Sequence, residues 1–349
     1  MNKTSLALAA LAGGLLTSQA QAQVEIQWWH SMTGALGDRV NEIATGFNAS
    51  QKDYKIVPVF KGTYPESMTA AIAAYRAGNA PHIVQVFEVG TATMMAAHGA
   101  IKPVYQLMKE ANEPFDPKAY LGPVAGYYTD RKGNMLSMPF NSSTTVFYVN
   151  KDAFKKAGLD PNQAPKTWKD FAIAAGKLKA SGQLCVYTTG WPAWVHVENF
   201  SAWHNLPIGT LENGIGGASL WVLGGKKPVD YKGVAKFFTY LSQPDLQVRW
   251  HEQTGYVPIT NAAFAAAQKA GYYEKVPGAD IAIKQLTNKP PTPNSKGLRF
   301  GNYVQGREVI EEEMEAVFAG KKDAKTAMDD ATRRGNDILR RFEAANKEQ

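Results

Sequence analysis

The stretch VEIQWWHSMTGALGDRVNEIATGFNASQKDYKIVPVF, residues 24–60, decides the fold. Val24-Glu25-Ile26-Gln27-Trp28 alternates apolar and polar positions, the period of a half-buried strand. Residues 33–47 then place Leu36, Val40, Ile43 and Phe47 on one face of a helix, and residues 54–60 form a second strand. Lys61-Gly62-Thr63-Tyr64 leads into an alanine-rich helix ending near Gly78, and residues 82–87, HIVQVF, make a third strand. This βαβαβ order predicts an α/β fold with a mostly parallel sheet covered by helices on both faces. Ligands of such sheets gather outside the carboxyl ends of the strands, where side chains converge and backbone groups lack ladder partners. Trp28-Trp29-His30-Ser31, Gly62-Thr63-Tyr64 and Glu88-Val89-Gly90 all fall there.

Upstream of this stretch, Lys3 precedes an apolar run at residues 6–16, and Ala20-Gln21-Ala22 follows. That is the pattern of a secretory signal peptide over residues 1–22, too short to span a bilayer, and it predicts export. The chain has 349 residues, 44% of them hydrophobic, which exceeds what one core usually organises and predicts two lobes. The single cysteine, Cys185, lies in Leu184-Cys185-Val186-Tyr187, read as a buried strand, so no internal disulfide is expected. A net charge of +7 could suit nucleic acid, but the basic residues are scattered. The pairs Arg333-Arg334 and Arg340-Arg341 alternate with acids in a helical stretch, as a solvated face does. No nucleic acid partner is expected.

Downstream, PFNSST at residues 139–144 reads as a crossover between lobes. Helices are expected at residues 151–158 and 168–179, and a strand at 184–187. Gly190 ends that strand and Pro192 opens a helix towards His204. Trp191 then sits at a strand-to-helix turn whose backbone N–H groups favour an anion, with Trp194 one turn on. Phe200 and Trp203 are expected to face the core. Residues 216–223 form another strand, 234–252 a helix closed by Gly255, 288–293 a proline-rich connector, and 304–319 and 323–345 the last helices.

The chain contains no G-x-S-x-G elbow, H-E-x-x-H, phosphate-binding P-loop or C-x-x-C, and the six histidines lack close metal-ligand spacing. Glu311-Glu312-Glu313 with Glu315 reads as a solvated helix face. No catalytic residue, metal or cofactor is therefore expected, and the chain is not read as an enzyme. What remains at predicted element ends is Tyr64, Glu88, Ser142, Ser143, Trp191, Gly217, Tyr256 and Arg307. These are hydrogen-bonding groups, a stacking face, a close-approach glycine and one fixed cation, an inventory that holds a small anionic polyol without transforming it.

WWHSMTG, YKIVPVFKGTY, PFNSST, TTGWPAW, GGASLWV, TGYVPIT and NKPPTP, with further motifs along almost the whole chain, carry a resemblance. The sequence resembles the glycerol-3-phosphate-binding branch of the bacterial extracellular solute-binding family typified by maltose-binding protein. The resemblance implies a two-lobe periplasmic-binding-protein-like fold (type II) that closes by a hinge near residues 142 and 216. It implies periplasmic capture of sn-glycerol 3-phosphate or a glycerophosphodiester by a monomer that docks on inner-membrane ABC permease subunits. Motif by motif, it implies ligand contacts from Tyr64, Glu88, Ser143, Gly217, Tyr256 and Arg307, with Trp191 and Trp194 as an aromatic wall. Glu88 would accept hydroxyl protons while Arg307 and Ser143 meet phosphate oxygens. The first lobe would comprise residues 23–142 plus 216–262, the second 143–215 plus 263–349. Between Gly214 and Gly216 the family carries a further block of the second lobe, so that lobe is expected to be truncated and binding weakened. The rival expectations are a secreted glycerophosphodiester hydrolase and a binding protein for another carbohydrate or anion.

Overall fold

The computed structural model describes residues 23–130, 132–208, 216–290, 292 and 300–346. The expected signal peptide at residues 1–22 and the junction at residues 211–215 lie outside the described residues. The opening stretch folds as read: β1 (Val24–His30), α1 (Gly34–Ser50), β2 (Tyr54–Phe60), α2 (Tyr64–Arg76) and β3 (Ile83–Phe87). With β4 (Met138–Ser143) and β5 (Gly216–Val222) they form one sheet, ordered β2-β1-β3-β5-β4.

The sheet is parallel only across β2, β1 and β3; β5 runs antiparallel to both β3 and β4. The expectation of a mostly parallel sheet is corrected by the crossover. The chain leaves the sheet at Ser143 and re-enters at Gly216, and these two residues pair. A strand that returns where its neighbour left must run back along it.

Helices pack on both faces, so β3 is buried on both sides and apolar except at Gln85. On one face Trp28 packs edge-on to Phe140 at 5.3 Å and against Phe237 at 5.4 Å. Phe237 belongs to the helix Pro228–Leu241, which approaches closely because Gly233 has no side chain. A Cβ there would lie 2.3 Å from the Tyr54 ring. On the other face Trp221, Val84 and Val86 pack with Trp29 and Met68. The helix expected at 234–252 is two helices, Pro228–Leu241 and Pro244–Thr254. Pro244 cannot continue a helix, but it fits the first turn of the next. Gly255 closes that second helix at φ +75°. The expected lobe boundary at residue 262 falls inside the helix Asn261–Lys269, and Ile283 beyond it lies in the same core as Trp28.

Residues 144–208 are built differently. They hold the helices Lys151–Lys156 and Trp168–Ala180, a π-helical turn at Ala193–Glu198 and the short helix Asn199–Trp203. Among the described residues of this segment there is no strand. The strand expected at 184–187 is absent: Leu184 is fully exposed and Cys185 is exposed rather than buried. A lone strand leaves its N–H and C=O groups unpaired on both edges, and no second strand is present to meet them.

The terminal helices Tyr303–Phe318 and Ala324–Asn346 complete the described chain. The acidic run on the first of them is not simply a solvated face. Glu313 is buried and paired with Lys322 at 2.5 Å and Arg334 at 2.9 Å. Arg333 and Arg340 do lie on the expected solvated face, in i,i+3 pairs with Asp330 and Asp337. Among the described residues, no helix is long and apolar enough to cross a membrane and no cluster of ligating side chains could hold a metal ion.

Candidate functional site

Asn141, on β4 beside the β4–β5 crossover, meets Gln85 of β3 and Tyr64, which follows β2. Tyr64 is the first residue of α2, placed by a capping box in which the Thr63 backbone N–H donates to Glu66 Oε2 at 2.7 Å. Its ring stacks on Phe87 at 5.0 Å. Its hydroxyl accepts from Gln85 Nε2 at 3.3 Å and Asn141 Nδ2 at 3.5 Å, and Gln85 Nε2 donates to Asn141 Oδ1 at 3.0 Å. Tyr256 lies beside the Asn141 side chain while its ring stacks on Trp250. Burial raises the pKa of both tyrosines, so each hydroxyl keeps its proton and remains a donor. Gly217, at φ +124°, has its Cα against the same place: a Cβ would sit 2.2 Å from the Asn141 carbonyl oxygen. Only glycine accepts that conformation and that approach together.

Nearby polar atoms are incompletely used. Ser31 donates its backbone N–H to Gln85 Oε1 at 3.0 Å, yet its hydroxyl and that of Ser142 are buried without a hydrogen bond. Buried hydroxyls left unpaired are costly, which makes them natural partners for a hydroxylated ligand. Ser143 closes β4 opposite Gly216, at the crossing itself.

A second cluster surrounds Arg307, on the helix Tyr303–Phe318. Its Nη1 donates to Glu88 Oε1 at 2.5 Å, and its Nε and Nη2 donate to Glu198 Oε1 and Oε2, each at 2.7 Å. The Tyr303 hydroxyl donates to Glu198 Oε1 at 2.8 Å. All four side chains are largely removed from water. Burial pushes the Glu88 carboxyl up, against the pull of Arg307. Burial also opposes the Arg307 charge, but Glu88 and Glu198 outweigh it and hold that pKa well above the usual value. The proton stays on the guanidinium, as a donor at all three bonds. The ion-pair partners of Arg307 are thus Glu88 and Glu198.

Trp191 and Trp194 lie in the sheetless segment 144–208. Trp191 has φ +47°, uncommon for a residue with a side chain, and is 72% exposed. Trp194 meets it edge-on at 6.4 Å. The turn after Trp191 is not an open anion seat as expected, because the Ala193 N–H donates to Glu311 Oε1 at 3.2 Å. Burial raises the pKa of that Glu311 carboxyl. Trp203, expected in the core, is exposed, and Phe200 is half-buried against Trp168. Without a sheet beneath it, the short helix has no core to face.

The structure therefore gathers Tyr64, Gly217 and Tyr256 around Asn141, Glu88 with Arg307, and Trp191 with Trp194. Sequence reasoning missed Asn141, Gln85, Glu198 and Tyr303. Gln85 had a legible signal, since a polar residue inside IVQVF interrupts a strand buried on both faces. Asn141 and Glu198 had none, because their importance comes from partners 56 and 109 residues away.

Known proteins bear on this arrangement. The family model for bacterial extracellular solute-binding proteins matches residues 33–303. The sn-glycerol-3-phosphate-binding periplasmic protein UgpB of Pectobacterium atrosepticum is 44% identical, with 98% of this chain and 97% of that protein covered. UgpB of Escherichia coli O1:K1 is 45% identical over 97% and 98%. The Pectobacterium alignment runs over 431 positions against the 349 residues here, so that relative carries sequence this chain lacks. Among solved structures, UgpB from Mycobacterium tuberculosis in complex with glycerophosphocholine matches with a TM-score of 0.72 at 18% identity, over 91% of this chain and 99% of that one. Maltose-bound MalE3 from T. maritima matches with a TM-score of 0.66 at 14% identity, over 90% and 100%. The fold is that of the two-lobe periplasmic binding proteins, with the second lobe reduced, and the chain belongs to the bacterial extracellular solute-binding protein family.

Proposed function

We propose that this chain is the periplasmic capture component of an ABC importer and that it binds sn-glycerol 3-phosphate or a glycerophosphodiester without altering it. The observation that carries the reading is the convergence of Tyr64, Tyr256 and Gly217 on Asn141 at the strand ends, beside a charged cluster centred on Arg307. The names of the full-length relatives at 44–45% identity support the same ligand class. Neutral donors and acceptors around Asn141 suit the glycerol hydroxyls, with the unpaired Ser31 and Ser142 hydroxyls within the same corner. Arg307 and Ser143 serve the phosphate, Glu88 a hydroxyl proton, and the Trp191 and Trp194 rings wall the opening.

Lobe closure about the Ser142–Gly217 and Ser143–Gly216 pairs brings the two halves onto the ligand, and the closed form is what inner-membrane permease subunits recognise. The shortened second lobe supplies fewer donors, so affinity falls below that of the longer relatives. Calorimetric titration with sn-glycerol 3-phosphate and glycerophosphocholine tests this directly. Saturable binding to either supports capture; no heat from either, together with a thermal shift by a different sugar or anion, replaces the ligand class. Release of choline from glycerophosphocholine by the protein would replace capture with hydrolysis.

A further inference from the structure

We propose that Glu198 is an internal counter-ion seated on the fork of Arg307, and that it sets how tightly the site takes a phosphate group. The inference rests on the reading that the ligand is a phosphorylated polyol. A guanidinium offers an anion its best geometry along the Nε–Nη2 edge, where two parallel N–H groups meet two oxygens. That edge is filled by Glu198, with both contacts at 2.7 Å. Glu88 takes Nη1 from the other side.

Three features hold Glu198 there. Tyr303, one turn before Arg307 on the same helix, donates its hydroxyl to Glu198 Oε1. Glu198 ends a π-helical turn, whose extra residue per turn re-aims side chains relative to an α-helix. The other end of that turn is tied to the same helix through Ala193 N–H and Glu311. The carboxylate is thus presented to Arg307 by a turn anchored at both ends.

The geometry makes this a competition. Two buried carboxylates occupy the donors of one guanidinium, and Glu311 lies on the next turn of the helix. A phosphate entering beside them finds the fork occupied. It binds well only when Glu198 gives up the fork, so apparent affinity is reduced by the fraction of molecules in which that has happened. Glu198 acts through Arg307 and is a positioning residue.

The test is calorimetry of sn-glycerol 3-phosphate and of glycerol against the wild type, Glu198→Gln and Tyr303→Phe. The glutamine variant keeps the shape and an acceptor but removes the charge, and should bind the phosphate ester about tenfold more tightly with glycerol unchanged. Tyr303→Phe removes one bond to Glu198 and should give a smaller gain of about threefold in the same direction. A purely structural role would weaken both ligands together. If the wild type binds the ester and neither variant binds it more tightly, the counter-ion inference falls while the capture reading stands. If none of the three proteins binds the ester, both fall.

Discussion

Two regions of this molecule use the same residues to opposite ends. Around the sheet, Trp28 and Trp221 are completely buried. In residues 144–208, Trp168 is 56% exposed and Trp191 72% exposed, although Trp168 meets Phe171 and Phe200 edge-on. The two regions have helices of similar kind. What differs is the layer under them: five hydrogen-bonded strands in one, no described strand in the other. Aromatic rings cluster wherever helices bring them near, but they leave water only when a second layer closes over them. The lesson concerns cooperativity, since a sheet supplies many partners at once and a helix pair supplies few.

The largest test of that contrast is truncation of one ring in each region. Trp28→Ala should cost about 3–5 kcal/mol in urea unfolding, the range for a large buried aromatic, whereas Trp168→Ala should cost under about 1 kcal/mol. Equal losses would break the comparison. A smaller effect comes from pH. Burial lowers the His30 pKa from the usual 6.5 to about 4, and the Met32 N–H donates to His30 Nδ1 at 3.3 Å, which needs the neutral ring. The unfolded chain binds a proton at this residue near pH 6.5 while the native state resists until about pH 4. Stability that is full above pH 6.5 should therefore be lost as pH falls to about 4, by on the order of 1 kcal/mol per pH unit. Thermal melts of wild type and His30→Gln should show that slope and its reduction. The smallest effect leaves stability untouched: Cys185, exposed in the sheetless region, should react with a thiol reagent in the native protein almost as fast as in urea. Protection of that thiol would place a covering layer over residues 184–187.

Much of the fold was legible because it follows from local pattern. Residues 24–90 folded as read, since period-two alternation and an i, i+4 apolar face are properties of adjacent residues. The failures share a cause. The strand expected at 184–187 had the right composition but no neighbour, and the direction of β5 depended on where the chain re-entered the sheet. Tyr64, Glu88, Gly217, Tyr256 and Arg307 were legible as site candidates from their positions at element ends. Their partners were not, because a glutamate in a helix-like segment looks the same whether it meets water or Glu198's guanidinium partner.

The sequence by itself determined an α/β chain and where the strands of the opening βαβαβ stretch begin and end. The tertiary structure decided which carboxylates Arg307 meets, that Asn141 is the hub of the strand ends, and which aromatic rings stay wet. The physical reason is range. Propensity and periodicity act within a few residues, whereas burial, charge pairing and strand partnership are settled between residues far apart in the chain, and only packing brings those together.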